Sequence, residues 1–417
     1  MAIEPTTGNQ VCVIIGASHA GVNLAFSLRR EGWEGAIILY DSDKEFPYHR
    51  PPLSKAYITE SEDTEHSLLF PRENYDSEAI TLSLGLTVNG IDRSAKTITL
   101  SDGSTQPYNK LVIATGARPL IPPIKGIEIA LNLFPLRTGA DAMSIKKALS
   151  NADKKRVVVI GGGYIGLEIA ASMKKLGAKV VVLEREKRIL ARVTAPVMSD
   201  YFMDLHHKNG VDILTDKNVV SIDNQKNHNM VYCADGSSFE ADVLVVGVGI
   251  RVNTELASGA GLEIENGIKV NSFARTNDED IYAVGDCTFH YNPYYGRYVR
   301  LESVQNAVDQ AKVAAASICG KNNIYDTIPW FWSDQYNVKL QMVGLSQGYN
   351  DVVVRSEDPE NLSFSVWYFK DDDLLSVDAV NNGKAYVLGT KFLKEKQKID
   401  KSKLRDTSIP MKPTSFI

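Results

Sequence analysis

Paired cysteines, an excess of basic charge and long unbroken hydrophobic runs are all missing from this sequence. The four cysteines, Cys12, Cys233, Cys287 and Cys319, stand far apart. They offer no CxxC redox pair, no zinc-ligand spacing and no disulfide framework. Cys287 has no histidine beside it in a catalytic arrangement and reads as a small packing residue. Seven histidines are scattered along the chain; the adjacent pair His206 and His207 reads as a solvated helix face, and no metal site is expected. Lys plus Arg number 46 against 51 Asp plus Glu, a net charge of −5, so bulk charge gives no reason to expect nucleic acid. Apolar stretches are broken by Gly or charge well before the roughly 20 residues that a membrane helix needs. The opening MAIEPTTGNQ has no basic segment followed by an apolar one, so no signal peptide is expected. A soluble, cytoplasmic protein is the expectation. What is present is ordinary for a globular chain: 44% hydrophobic, 23% charged, with 30 Gly and 16 Pro in 417 residues. Disorder, collagen-like repeats and a coiled-coil rod are excluded, and the length suits about three domains with their own cores.

Two stretches share one plan. Residues 11–41 read VCVIIGASHAGVNLAFSLRREGWEGAIILYD, and residues 156–186 read RVVVIGGGYIGLEIAASMKKLGAKVVVLERE. Each opens on a short β-branched run, turns through glycines into an amphipathic helix, and returns to an apolar run ending in acid. That is a βαβ unit, and the short apolar runs suit parallel strands buried on both faces. In the second copy Gly161, Gly163 and Gly166 occupy the first, third and sixth positions of GxGxxG, around Tyr164 and Ile165. The first glycine permits the tight turn, the second lets the backbone approach a pyrophosphate, and the third lets the helix pack close on the strand. The diphosphate then sits at the helix N-terminus. In the first copy, Gly16, Ala17, Ser18, His19, Ala20 and Gly21, a serine small enough to spare the phosphate replaces the middle glycine. Two such units in one chain, each followed by acid, point to two dinucleotides.

Further strand endings have the same character: LVIATGARP at 111–119, with Ala114, Thr115 and Gly116; LVVGVG at 244–249, with Gly247 and Gly249; and IYAVGD at 281–286, ending in Gly285 and Asp286. After two dinucleotide folds, a Gly-Asp at a strand end offers a carboxylate near a ribityl or phosphate group. A long helical pattern follows from Ser303 to Cys319. From about Pro329 the chain changes: WFW at 330–332, alternating runs at 338–343, 352–355 and 362–369, then a Lys-rich stretch from 391 to 403. This predicts a small α+β domain, strands first and helix after.

Together, the two dinucleotide folds, the Thr115-Gly116 strand ending and VGD at 284–286 resemble the FAD- and pyridine-nucleotide-dependent reductases. FPYHRPPLSKAY at 46–57, VQNA at 304–307 and PWFWSDQY at 329–336 narrow the resemblance. They are similar to ferredoxin reductases of the putidaredoxin-reductase type, which serve cytochrome P450s and aromatic-ring dioxygenases. The resemblance covers nearly the whole chain. It implies an α/β fold of two Rossmann-like domains plus a C-terminal α+β domain. The division would be 1–118 with 252–328 for FAD, 119–251 for NAD, and 329–417 for the C-terminal domain. Glutathione-reductase relatives carry a CxxxxC disulfide in the first domain; here that region has no such pair, so electrons are expected to leave the flavin directly.

The same resemblance implies roles for single residues. Glu184, closing the second strand of the NAD fold, would accept from the adenosine 2′-hydroxyl and repel a 2′-phosphate, favouring NADH; Arg185 beside it would face phosphate, adenine or water. The FAD ribose would be held near Asp41, Ser42 and Asp43. Ser42 stands where relatives usually carry acid, which leaves Asp41 and Asp43 both open. Lys55 and Glu168 would meet near flavin N5, the lysine offsetting charge gained on reduction and the glutamate positioning it. Arg50, Val88, Arg137 and Val304 join Ala20 and Asp286 as FAD contacts, Val304 through the helix dipole. Trp332 would lie against the isoalloxazine. The implied partner is a [2Fe–2S] ferredoxin, docked on cations of which Arg297, Arg300, Lys312 and Lys339 are candidates. Either a monomer or a weak dimer is compatible with the sequence. A rubredoxin reductase, an NADH oxidase, or an AIF-like NADH-sensing flavoprotein would share the fold; no basic arm or large insertion supports the last.

Overall fold

The computed structural model describes residues 10–60, 64–358 and 363–417. The chain divides into two compact units. The first comprises Met1–His49, Thr64–Arg118 and Arg251–Pro329, and the second Arg50–Asp63, Pro119–Ile250 and Trp330–Ile417.

In the first unit, the β-branched runs form a five-stranded parallel sheet. Its spatial order is Ile281–Ala283, Lys110–Ile113, Val11–Ile15, Ala36–Asp41, Ile80–Leu84. Alternation along Val11–Ile15 distributes the side chains to two cores, as strand geometry requires. Cys12 and Ile14 pack with Leu24, Leu28, Ala311 and Ala315 of the helices His19–Glu31 and Val304–Ile318. Val13 and Ile15 pack on the other face with Val88, Ile98 and Leu100 of a three-stranded antiparallel sheet. Helix and sheet thus cover both faces of the parallel sheet, which is why its strands read as continuous apolar runs.

The second unit repeats the plan. Its parallel sheet runs Asp212–Leu214, Lys179–Leu183, Arg156–Ile160, Val243–Val246, Leu133–Phe134. The helix Tyr164–Lys175 follows the glycine turn, and Pro196–Lys208 follows the strand Lys179–Leu183. From Trp330 the chain builds a five-stranded antiparallel sheet, Trp330–Gln335, Val338–Gly344, Asp373–Val380, Ser363–Lys370, Asp351–Asp358 in spatial order. The helix Gly383–Glu395 packs on it; a side chain at Gly389 would collide with Val377 at 2.6 Å. The fold is therefore α/β with two Rossmann-like sheets and a C-terminal α+β portion, strands before helix. The expected run at 362–369 begins at Leu362, which lies outside the described residues; the described strand is Ser363–Lys370. Among the described residues no helix is long and apolar enough to cross a membrane.

Candidate flavin and nicotinamide nucleotide sites

The two glycine turns are built alike. Gly16 and Gly161 both sit at φ 111°, a backbone region that side chains avoid. A Cβ on Gly16 would lie 2.3 Å from the Ala114 carbonyl, and one on Gly161 would lie 2.5 Å from that of Gly247. Gly21 and Gly166 close each turn from the helix side, where a Cβ would meet the carbonyls of Gly16 and Gly161 at 1.9 and 2.1 Å. At Gly163 an added Cβ meets nothing within 4 Å, which explains why Ser18 is tolerated at the matching place in the first copy. Both Ser18 and Gly163 stand as extended N-caps at the start of their helices. Each helix therefore turns the positive end of its dipole to where a diphosphate would sit.

The acid after each second strand is also equivalent. Ala17 N–H donates to Asp41 Oδ2 at 2.6 Å, and Gly162 N–H donates to Glu184 Oε2 at 2.6 Å. The other carboxylate oxygens accept from Asp43 N–H at 2.9 Å and Glu186 N–H at 2.8 Å. Asp43 instead accepts from Glu45 N–H and Tyr48 O–H. Of the two acids left open, Asp41 is thus the structural counterpart of Glu184. Ser42 follows the strand end, and Arg185, 73% exposed, turns back onto Glu186 at 2.9 Å.

Elsewhere in the first unit, Thr115 and Asn253 exchange two hydrogen bonds of 2.8 Å, and Asn253 N–H donates to the Gly116 carbonyl at 3.0 Å. Gln310 is a residue that sequence reasoning missed. Its Oε1 accepts from Gly285 N–H at 2.8 Å and from Thr288 O–H at 2.9 Å, setting the turn that carries Asp286. Val304 opens its helix after Ser303, whose hydroxyl accepts from Asn306 N–H. His19 is buried, with its ring 5.5 Å from that of His49, and Val88 is buried at the start of its strand. Cys287 is buried and its thiol is pushed up to about 11 by burial, as a packing residue requires. All four cysteines are free.

In the second unit, Lys55 and Glu168 meet. Lys55 Nζ lies 2.7 Å from Glu168 Oε2, with the carboxylate 2% and the lysine 22% exposed. Proline-rich turning places Lys55 after the short helix Pro51–Ser54, and its ammonium also donates to the Pro51 carbonyl at 3.2 Å. Two serines complete the carboxylate: Ser54 O–H donates to Oε2 at 2.5 Å and Ser333 O–H to Oε1 at 2.6 Å. Ser333 in turn accepts from Gln335 at 3.2 Å, and Gln335 Oε1 pairs with His206 Nε2 at 2.9 Å. His206 is therefore not a solvated helix residue, correcting the sequence expectation. It is 0% exposed, its Nδ1 faces Tyr336 O–H at 3.2 Å, and burial lowers its pKa to about 4. Both serines stand inside motifs already singled out, but a serine in sequence gives no sign of burial.

Arg50 and Arg137 also meet, the guanidinium of the first donating to the carbonyl of the second at 2.6 Å. Trp332 is half-buried, its ring 5.6 Å from that of Trp330. Tyr164 turns its hydroxyl to Met342 Sδ at 2.9 Å, while Ile165 is exposed. Gly247 N–H donates to the Ile160 carbonyl at 2.8 Å, and the Gly249 carbonyl accepts from Leu120 N–H. Of the suggested docking cations, Arg300 pairs with Glu302 and Lys312 with Asp309 at 3.4 Å. These two and Arg297 belong to the first unit and Lys339 to the second.

Residues 10–311 match the family described as pyridine nucleotide-disulphide oxidoreductase, and residues 330–415 match that described as reductase C-terminal. Putidaredoxin reductase of Pseudomonas putida is 42% identical over 97% of this chain and 96% of its own. The 5,5′-dehydrodivanillate O-demethylase ferredoxin reductase subunit of a Sphingobium strain is 39% identical, over 96% of this chain and 97% of its own. A crystal structure of a covalent putidaredoxin reductase–putidaredoxin complex matches with a TM-score of 0.92 and 41% identity, covering 97% of both chains. The glycine cradles, strand-end acids and helix N-termini fit the two nucleotides that this family uses, FAD and NAD(P)H. The chain belongs to the pyridine nucleotide-disulphide oxidoreductase family, among its FAD-dependent ferredoxin reductases.

Proposed function

We propose that this reductase draws hydride from NADH and delivers single electrons to a [2Fe–2S] ferredoxin that feeds a P450 or a ring-hydroxylating oxygenase. The likeness over nearly the full chain to reductases named for such partners carries the reading. Bound FAD supplies the conversion between a two-electron and two one-electron transfers. The chain's own residues bind and orient. FAD would be held by the turn from Gly16 to Gly21, by Asp41 with Ser42 and Asp43 beside it, by Val88 and the strand end at Ala114, Thr115 and Gly116, and by Gly285, Asp286 and Val304. Arg50, Arg137 and Trp332 would complete its contacts. NADH would lie on Gly161, Gly163, Tyr164, Ile165 and Gly166, with Arg185, Gly247 and Gly249 at its rim.

Glu184 would select NADH: its carboxylate keeps lone pairs for a ribose hydroxyl, whereas a 2′-phosphate would bring like charge against it. Lys55, oriented by a Glu168 that Ser54 and Ser333 also hold, would place positive charge where negative charge develops on reduction. We keep the three-part division at 1–118 with 252–328, 119–251 and 329–417, a cytoplasmic setting, and a monomer or weak dimer as parts of the same proposal.

The test is NADH-driven cytochrome c reduction with and without a [2Fe–2S] ferredoxin from a P450 or dioxygenase system, with NADPH run beside it. A large ferredoxin-dependent rate with NADH and a small one with NADPH is expected. A rate indifferent to ferredoxin, with flavin bleached by NADH, would remove the partner and leave the cofactors.

A further inference from the structure

The chain after Glu184 does not return directly to the next helix. Residues 187–195 form a loop whose Leu190 N–H donates to the Gly162 carbonyl at 3.0 Å, so the loop lies directly on the glycine turn. Leu190 is buried at φ 54°, a left-handed conformation that a bulky residue holds only where its surroundings over-determine it.

Ser199 of the following helix holds the first part of this loop, donating to the Ile189 carbonyl at 2.6 Å, and the C-terminal portion holds the rest. Ala195 N–H donates to the Tyr368 hydroxyl oxygen, Oη, at 3.1 Å, and Tyr368 O–H donates to Asp378 Oδ2 at 2.5 Å. Ser346 O–H donates to the Val193 carbonyl at 3.1 Å. Asp378 is directly opposite Met342 across the strand pair, and Met342 Sδ is the acceptor for Tyr164 of the glycine turn. One patch of the C-terminal sheet therefore touches both sides of the nucleotide cradle: the helix start at Tyr164 and the loop that follows Glu184.

Asp378 is 3% exposed, and burial pushes its carboxyl up to about 7. A buried carboxyl is an expensive way to fill space. Here it accepts the Tyr368 O–H hydrogen bond, which leaves an oxygen lone pair of that hydroxyl aimed at Ala195 N–H. A phenylalanine or leucine would pack as well and could not do this.

We propose that Tyr368 and Asp378 are positioning residues for NADH, holding the 187–195 loop against the glycine turn and so setting nucleotide affinity from the C-terminal sheet. The proposal rests on the placement of NADH at Gly161–Gly166 and Glu184, and the experiment separates the two.

Calorimetric titration of NAD⁺ into the FAD-loaded protein gives Kd, and stopped-flow bleaching of the flavin by NADH gives the limiting reduction rate. Losing one positioning hydrogen bond predicts a Kd roughly fivefold higher in Tyr368→Phe, with the limiting rate changed by less than about twofold. Asp378→Asn, which still accepts from Tyr368, returns Kd to near the parental value. If Tyr368→Phe alone loses its flavin spectrum, the double variant Tyr368→Phe/Asp378→Leu leaves no carboxylate unpaired and carries the same prediction. Glu184→Ala is the control on the site. An unchanged Kd in the tyrosine variants beside a weakened one in Glu184→Ala overturns the positioning role and keeps the site. Unchanged Kd in both overturns the site and the positioning role with it.

Discussion

Glu168 shows what a single residue gains from its surroundings. A carboxylate this buried is tolerable only when its charge and its lone pairs are met, and Lys55, Ser54 and Ser333 meet them. Two predictions belong at this scale. Lys55→Met should lower the limiting rate of flavin reduction by NADH about 10²-fold, the cost of one electrostatic donor at a reacting centre, while FAD content stays parental. Stopped-flow absorbance with flavin quantified after denaturation checks it, and a parental rate would remove Lys55 from the chemistry. Ser333→Ala strands Glu168 Oε1 without its hydroxyl donor and should cost about 1–3 kcal/mol, read as a lower urea midpoint. Lys55 and Glu168 were legible in sequence through the motifs that carry them. Ser54, Ser333 and Gln310 were not, because a serine or glutamine looks the same in a sequence whether it is buried or solvated.

The elements most legible in sequence were the two strand–turn–helix units. Their glycines, apolar runs and closing acids all lie within about thirty residues, so local spacing specifies them. The alternating runs of the C-terminal portion likewise announced strands. The closing tail is different: its anchor is a buried arginine on a strand. Arg355 donates to the carbonyls of Leu404, Asp406 and Ile409 at 2.9, 2.7 and 2.7 Å, pairs with Glu357, and lies 5.4 Å from the centre of the Phe416 ring. Nothing in the alternating pattern VVVRSED distinguishes this arginine from one facing water. Arg355→Met should release the tail, removing a donor from three carbonyls, of which Asp406 keeps Ile409 N–H at 3.2 Å, and costing about 3–5 kcal/mol. Limited trypsin digestion should then cut at Lys401, Lys403 or Arg405 much faster than in the parent. Equal resistance would show that the tail is held otherwise.

Across the whole molecule, two buried histidines and the buried Asp378 shape the response to acid. His206 in the second unit and His290 in the first are each held near pKa 4 by burial, below the ordinary value of 6.5. Each is neutral in the folded state and takes up a proton on unfolding between those values. The stability that each contributes is therefore full above about pH 6.5 and falls as pH drops toward 4, by about 2 kcal/mol at pH 5, while Asp378, pushed up to about 7 by burial, works with the opposite sign, its cost fading as pH falls through 7. In thermal melts from pH 8 to 5, His206→Gln should lose less stability toward pH 5 than the parent, by about 2 kcal/mol. Equal losses in the two proteins would mean that His206 does not stay neutral in the fold. The sequence by itself determined the two nucleotide folds, their glycine turns and the acids that close them, because each is decided by neighbours a few covalent steps apart. Only the tertiary structure decided that Asp41 rather than Asp43 mirrors Glu184, that His206 is buried, and that Ser333 finishes Glu168. The hydrogen bonds of Glu168 to Ser54 and Ser333 span 114 and 165 residues, and that of His206 to Gln335 spans 129. At such separations the chain carries no local signal, and packing alone brings the partners together.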